Sequence, residues 1–173
     1  MDQLAPWIRD SVHWIPVYGV LIAFAVWRFR KQSWIWILFG LVSVALSDLI
    51  GNYGFKHVFE RLRPCQDPDM QLGLRLLVDR CGSGFSFVSN HAANHMSLAV
   101  FLLVTLRNIW GNWGWVAIFW ALMIAYAQVY VGLHFPADAV AGASLGAGIG
   151  GLAGWSFNRQ FKSSIFPSYQ SRI

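Results

Sequence analysis

His134 and Asp138 stand four residues apart, with Pro136 between them. Proline is favoured at the first position of a helix, where its missing N–H is not needed and its φ is already helical. The spacing therefore predicts a helix that starts just after His134 and carries Asp138 in its first turn. A carboxylate there can hydrogen-bond one imidazole nitrogen and fix the tautomer, leaving the other nitrogen as base or nucleophile. An Asp in a first helical turn also has a plain capping role, so the pair needs support from elsewhere in the chain.

Two other stretches supply that support. Ser89-Asn90-His91 directly precedes an apolar run. Serine is a good N-cap, so a helix is expected to begin here with its free N–H groups open, and such an end binds phosphate. His91 falls in the first turn, and Asn94 and His95 follow three and four residues on, on the same face. The third stretch, residues 56–64, begins with Lys56 and ends Arg63-Pro64. Lys56 and Arg63 are seven residues apart, about two helical turns, and so point the same way on a helix that Pro64 ends. Paired cations at a membrane mouth suit an anion, or they anchor the chain to lipid headgroups.

The elements that must position these groups are apolar. Of 173 residues, 56% are hydrophobic and 12% charged, with ten Trp and thirteen Phe. Long apolar runs with few charges indicate membrane spans. The fold class is therefore all-α: an integral membrane helical bundle of about five transmembrane helices, as one domain over residues 1–173. The runs are 14–27, 34–53, 92–106, 113–131 and 140–157. Residues 1–13 read as an interfacial helix, with Leu4, Trp7 and Ile8 on one side. No cleavable signal sequence is expected, because no basic stretch precedes a short apolar run near the start. Asp48 lies inside the second run, where an ionisable group is costly and faces the bundle interior. Gly142, Gly146, Gly150 and Gly154 lay a small-residue strip along the last run and let a neighbouring helix approach closely.

The net charge of +5 does not point to nucleic acid, because the basic residues cluster at the ends of the apolar runs. The short connection with Arg28, Arg30 and Lys31 and the tail with Arg159, Lys162 and Arg172 fall on one side. The positive-inside rule makes that side cytoplasmic. Residues 64–84 then form an extracytoplasmic loop. It holds the chain's two cysteines, Cys65 and Cys81. An oxidising compartment favours a disulfide between them over free thiols.

In this order and between spans, Lys56-x6-Arg63-Pro64, Ser89-x-His91 and His134-x3-Asp138 resemble the three-part signature of the type 2 phosphatidic acid phosphatase superfamily. That superfamily includes lipid phosphatases, undecaprenyl-diphosphate phosphatases, lipid A phosphatases and vanadium haloperoxidases. The resemblance implies a metal-independent phosphatase without cofactor, acting on a membrane lipid phosphate or diphosphate. It implies a multi-pass protein of the bacterial inner membrane whose site faces the periplasm or the outside. By the same resemblance His134 attacks phosphorus and forms a phosphohistidine, Asp138 orients it, and His91 protonates the leaving oxygen. Lys56, Arg63, Ser89, Asn90 and Gln128 are implied as the phosphate-binding group.

This chain departs from the family pattern at two motifs. Val88 and Asn90 replace a Pro and a Gly in the second, and Ala127 and Gln128 replace Ser-Arg in the third. That Arg binds phosphate in the family, whereas Gln carries no charge. Charge-assisted hydrogen bonds contribute about 1.5–3 kcal/mol against about 1 for neutral ones. Either the pocket lacks a charge or another cation, Arg75 or Arg80 of the long loop, fills the gap. Two other readings stay open. One is a lipid-phosphate-binding membrane protein with little or no turnover. The other is a metal site built from His91, His95, His134 and Asp138. His95 reads as a hydrogen-bonded group behind His91, and His57 as a surface residue.

Overall fold

The computed structural model describes residues 1–71 and 73–165. Arg172 lies outside the described residues, as does the side chain of Lys162. Every regular element among the described residues is helical. In chain order these are α1 (Leu4–Arg9), α2 (Ile15–Phe29), α3 (Ser33–Leu49), α4 (His57–Phe59), α5 (Pro68–Gln71), α6 (Asn90–Trp110), α7 (Trp115–Tyr130) and α8 (Pro136–Ile165). A π-helical segment, Ile50–Lys56, carries α3 straight on into α4.

Two helical stretches, Ser11–Phe59 and Asn90–Tyr130, are long and apolar enough to cross a membrane, with mean hydropathy of 1.9 and 1.3. Each is folded into a hairpin. The first reverses at Arg30 and the second at Gly111, both at positive φ, 50° and 53°. Val20, Trp27, Leu41, Phe119, Leu152 and Trp155 are exposed on the outside of the bundle. An apolar outer surface of this extent fits a bilayer and not water.

Helix α6 lies at the centre and packs against α3, α7 and α8. The closest contact is with α8. A Cβ on Gly142, Gly146 or Gly150 would stand 2.4, 2.0 or 2.1 Å from the carbonyl oxygens of Ser89, Ala93 and Ser97. The glycine strip of α8 thus lies directly on a matching strip of small residues in α6. Away from the site, Phe29, Trp36, Phe101, Leu102, Leu106 and Phe157 form the main apolar core. The Trp36 indole there donates to Thr105 at 3.0 Å.

The sequence puts Arg63 on one helix with Lys56. The structure corrects this: α4 ends at Phe59, and Glu60 takes a left-handed conformation at φ 43°. Arg63 therefore leaves the helix axis. Its guanidinium donates to the carbonyls of Ser83, Gly84 and Leu133 at 3.2–3.4 Å. Those long-range bonds outweigh the modest gain of one more helical turn.

The N-terminal helix is shorter than residues 1–13, and one face of it packs on the bundle. Ala5 is buried and Ile8 half-buried against Ala127, Val131 and Leu133, while Leu4 and Trp7 are exposed. Asp2 ties this end to the long loop and to α7 through Arg75 and a 2.9 Å hydrogen bond from Tyr130. Cys65 and Cys81 are joined by a disulfide, with Cα atoms 5.9 Å apart.

Candidate active site

Helix α7 ends at Tyr130 and the chain turns sharply at Gly132, φ +85°. This turn presents Leu133 and His134 before Pro136 opens α8. His134 is 4% exposed. Its Nε2 meets Arg63 Nη1 at 3.1 Å, and its Nδ1 meets Ser86 Oγ at 3.4 Å. Asp138 Oδ2 lies 3.7 Å from Nδ1, too far for a hydrogen bond but close enough for attraction. Ser86 spans that gap, because its hydroxyl donates to Asp138 Oδ2. These partners fit one tautomer, with Nδ1–H facing Ser86 and the Nε2 lone pair facing Arg63.

Burial pushes the His134 imidazole below its ordinary value. The charges of Arg63 and Lys56 push the same way, against the pull of Asp138. The ring is therefore neutral at pH 7, the form that attacks an electrophile.

Asp138 is fully buried and well partnered. Oδ2 also accepts from the Phe135 N–H at 2.9 Å, and Oδ1 pairs with Arg61 at 3.0 Å. The Arg61 guanidinium lies 4.0 Å over the Phe135 ring. The carbonyl of Asp138 accepts from the Ser89 N–H at 3.0 Å, which joins the start of α8 to the start of α6.

At the α6 N-terminus Ser89 occupies the N-cap position, but its hydroxyl caps nothing. Its Oγ is buried without a partner, and so is the Gln128 side-chain nitrogen. Orphaned buried donors of this kind cost about 1–3 kcal/mol each when nothing binds them. The unpartnered Ser89 hydroxyl and the open N–H groups of α6 are suited to receive an anion.

Asn90 turns the other way. Its side chain donates to Asp48 Oδ1 at 2.8 Å, as does that of Asn94 at 3.0 Å, and Asn52 donates to Oδ2 at 2.9 Å. The membrane-depth carboxylate is thus held by three amides. Asn90 can offer an anion its backbone N–H only.

His91 sits in the first turn of α6, with its ring stacked on His95 at 6.3 Å. It is within electrostatic reach of His134, Lys56 and Arg9. His95 Nδ1 donates to the His91 carbonyl at 2.8 Å, and its Nε2 bonds the Tyr18 hydroxyl at 3.0 Å. Both of its ring nitrogens are engaged, so it is placed as a prop for His91 and not as a free ligand. Among the described residues no three His, Cys, Asp or Glu side chains come together as a metal-binding group. The two cations suggested as substitutes for the missing Arg lie elsewhere: Arg75 pairs with Asp2, and Arg80 is exposed on the loop.

A family model for the PAP2 superfamily matches residues 34–162. The chain belongs to the PAP2 superfamily. It is 34% identical to a lipid A 4'-phosphatase of Bacteroides thetaiotaomicron, over 90% of this chain and 68% of that protein. It is 30% identical to an undecaprenyl-diphosphatase of Sulfolobus acidocaldarius, over 88% of this chain and 67% of that one. A PAP2-type phosphatidylglycerolphosphate phosphatase from Bacillus subtilis, solved by crystallography, shares the fold. Its TM-score is 0.61 at 23% identity, over 92% of this chain and 77% of that one.

Of the residues that the sequence motifs single out, Arg63, His134 and Asp138 meet directly, Ser89 is tied to Asp138 through its backbone, and Lys56 and His91 lie within electrostatic reach of His134. Two further groups come with them that the motif spacing did not single out: Ser86 and Arg61. Ser86 and Arg61 touch Asp138 directly. For Arg61 a signal was present in the sequence, a second arginine two residues before Arg63. Ser86 carried none.

Proposed function

We propose that this PAP2 chain is an integral membrane phosphatase that removes phosphate from a lipid phosphate or diphosphate through a phosphohistidine on His134. The observation that carries the reading is the setting of His134. Its neutral ring is held on the Nδ1 side by Ser86 and Asp138, and its Nε2 is aimed at Arg63.

Nε2 attacks the terminal phosphorus, whose bond to the leaving oxygen breaks: the lipid alcohol oxygen of a monophosphate, or the bridging oxygen of a diphosphate. His91 gives that oxygen a proton. Lys56, Arg63, Ser89, Gln128 and the first N–H groups of α6 hold the phosphoryl oxygens as charge builds. Water then attacks the phosphohistidine and loses a proton to His91, which frees inorganic phosphate and restores His134. The cations of the chain supply the positive charge that this step requires.

A cleft of about 480 Å³ lies between α2, α3 and α6. Its walls are apolar, including Leu21, Leu41, Val44 and Leu98, and it reaches Asn94 and His95, one turn from His91. A lipid tail fits such a cleft while its phosphate lies at the α6 N-terminus. The named activities of the relatives, on lipid A and undecaprenyl diphosphate, support the same substrate class.

In this reading α2, α3, α6, α7 and α8 are the five spans of one membrane-embedded domain in a bacterial inner membrane. The basic hairpin of Arg28, Arg30 and Lys31 lies in the cytoplasm, and the site and residues 64–84 lie outside. The test is phosphate release in detergent from lipid A, undecaprenyl diphosphate, phosphatidylglycerol phosphate and phosphatidic acid, with and without chelator. Release that vanadate blocks, chelator spares and His134→Ala abolishes is the expected result. Vanadate binding with no release from any lipid identifies a binding protein, and loss in chelator restored by zinc identifies a metal enzyme.

A further inference from the structure

Helix α1 lies outside the residues matched by the PAP2 family model. It nevertheless packs against α7, and its Ala5 lies in one apolar cluster with Val131 and with Ala127 and Leu133, which directly precede Gln128 and His134. Arg9 follows Ala5 by four residues, one turn along the same helix face. It is half-buried, and its Nε is fully enclosed without a hydrogen-bond partner.

Gln128 Nε2 and Ser89 Oγ are enclosed and unpartnered in the same way. These orphaned groups come from α1, α7 and the start of α6. Each is a donor, and the packing of α1 on α7 places Arg9 on the helix that docks beside Gln128 and the His134 turn. The other loop cations suggested for this role are engaged or exposed, as described above.

We propose that Arg9 is a phosphate-binding residue of this site, reaching in from α1 to supply the positive charge that Gln128 lacks. The inference rests on the phosphatase reading for its substrate, but not for the existence of the anion site. The electrostatics agree with the placement. Arg63 is pushed down chiefly by burial, with Asp138 opposing and the charge of Arg9 adding to the fall. Arg9 is itself pushed down by burial, with Asp10 opposing. Two guanidinium groups within electrostatic reach of one another repel, and an anion bound between them relieves that repulsion.

The anchoring of α1 fits the role. Asp2 clamps the start of the helix to Tyr130 and Arg75. The Trp14 indole donates to the Ile8 carbonyl at 2.8 Å and fixes its end. A helix of six residues needs such ties to hold a side chain in place.

The experiment uses the full chain in detergent. Binding of inorganic phosphate and of orthovanadate is measured by calorimetry or by thermal shift, and turnover by phosphate release from a lipid phosphate. Arg9→Gln is expected to weaken vanadate binding about tenfold, and Arg9→Lys by less, because the loss is that of a charge-assisted bond. Gln128→Arg in the Arg9→Gln background is expected to restore most of the loss, because it returns the missing charge to the site. A structural role for Arg9, at the C-terminal dipole of α1, predicts lower thermal stability, unchanged anion affinity and no rescue. Wild-type anion affinity in Arg9→Gln, or a loss that Gln128→Arg leaves untouched, overturns the proposal while the phosphatase reading stands. Arg9-dependent anion binding without lipid hydrolysis does the reverse. A wild-type chain that binds neither anion overturns both.

Discussion

Gly146 of α8 lies against the carbonyl oxygen of Ala93 in α6, so close that a Cβ built on it would stand 2.0 Å from that oxygen. One turn nearer the site, the Ser89 N–H donates to the Asp138 carbonyl. The glycine contact therefore sets the distance between the helix that carries Ser89 and His91 and the helix that carries Asp138. Gly146→Ala must push the helices apart. It is expected to cost about 1–3 kcal/mol and to lower turnover as well. Gly148 on the same helix has nothing within 4 Å. Gly148→Ala is expected to be neutral, or to stabilise by up to about 1 kcal/mol through helix propensity. Thermal unfolding of the two variants in detergent checks the pair, and equal losses would refute the packing argument.

Ser86 holds the imidazole of His134 through Asp138. Removing its hydroxyl in Ser86→Ala leaves the 3.7 Å separation of Nδ1 and Oδ2 unbridged. The expected loss in kcat is about tenfold to a hundredfold, the equivalent of one hydrogen bond to a charged carboxylate, with KM little changed. Asp138→Asn is expected to cost more, because it also removes the charge that steadies the imidazolium-like phosphohistidine. A larger effect on KM than on kcat in Ser86→Ala would place Ser86 in substrate binding instead.

The disulfide bears on the site through Arg63. Gly82, Ser83 and Gly84 follow Cys81 directly, and two of their carbonyls hold the Arg63 guanidinium. A Cβ on Gly82 would stand 3.0 Å from Arg63 Cζ. Cys65→Ser is expected to destabilise the protein by about 3 kcal/mol on the chain-entropy account and to loosen Arg63, which lowers phosphate affinity. Alkylation without reductant, read by mass spectrometry, is expected to leave both cysteines unmodified. Two alkylated thiols in native protein would overturn the bridge.

The pH dependence follows from the depressed His134. Its ordinary value is 6.5, and the folded value lies below that. The nucleophile is neutral above the folded value, so the acid limb of kcat/KM is expected below pH 6.5. The linkage has a matching sign. Between the two values the unfolded chain binds the proton and the folded chain does not, so stability is full above 6.5 and is lost as the pH falls through that window. Arg63→Ala removes a charge that opposes protonation and is expected to move the acid limb upward. A limb that moves down or stays fixed in that variant would show that another group titrates there.

The legible parts of this site are local in sequence. Pro136 marks the start of α8, and with it the turn that holds His134 and Asp138, because proline sets helix starts through its own backbone. The glycine strip announced a close helix neighbour by its period, although not which helix. Asp48 announced a bundle-facing position by its cost in a membrane. What the sequence did not reveal depends on contacts between distant segments. Ser86 lies 48 residues from His134 and 52 from Asp138. Arg63 leaves its helix because loop carbonyls about twenty residues on hold it. Arg9 gains its place only when α1 docks on α7, and no periodicity in the first ten residues encodes that partner.

Asp48 gives the last test. Three amides, from Asn52 on its own helix stretch and from Asn90 and Asn94 on α6, converge on its carboxylate. Asn90 and Asn94 flank His91, so this cluster fixes the rotation of α6 that points His91 into the site. Asp48→Ala leaves three donors without their acceptor at the membrane-facing end of the site. The expected loss is about 2–4 kcal/mol, since hydrogen bonds to a charged group contribute about 1.5–3 kcal/mol each and part of the loss is recovered by repacking. Asp48→Asn keeps one acceptor oxygen and is expected to lose about half as much. Activity is expected to fall in the same order, and more on a lipid phosphate than on p-nitrophenyl phosphate. An activated ester needs little protonation of its leaving group, so misplacing His91 costs it less. Equal losses on both substrates would show that the cluster stabilises the bundle without aiming His91.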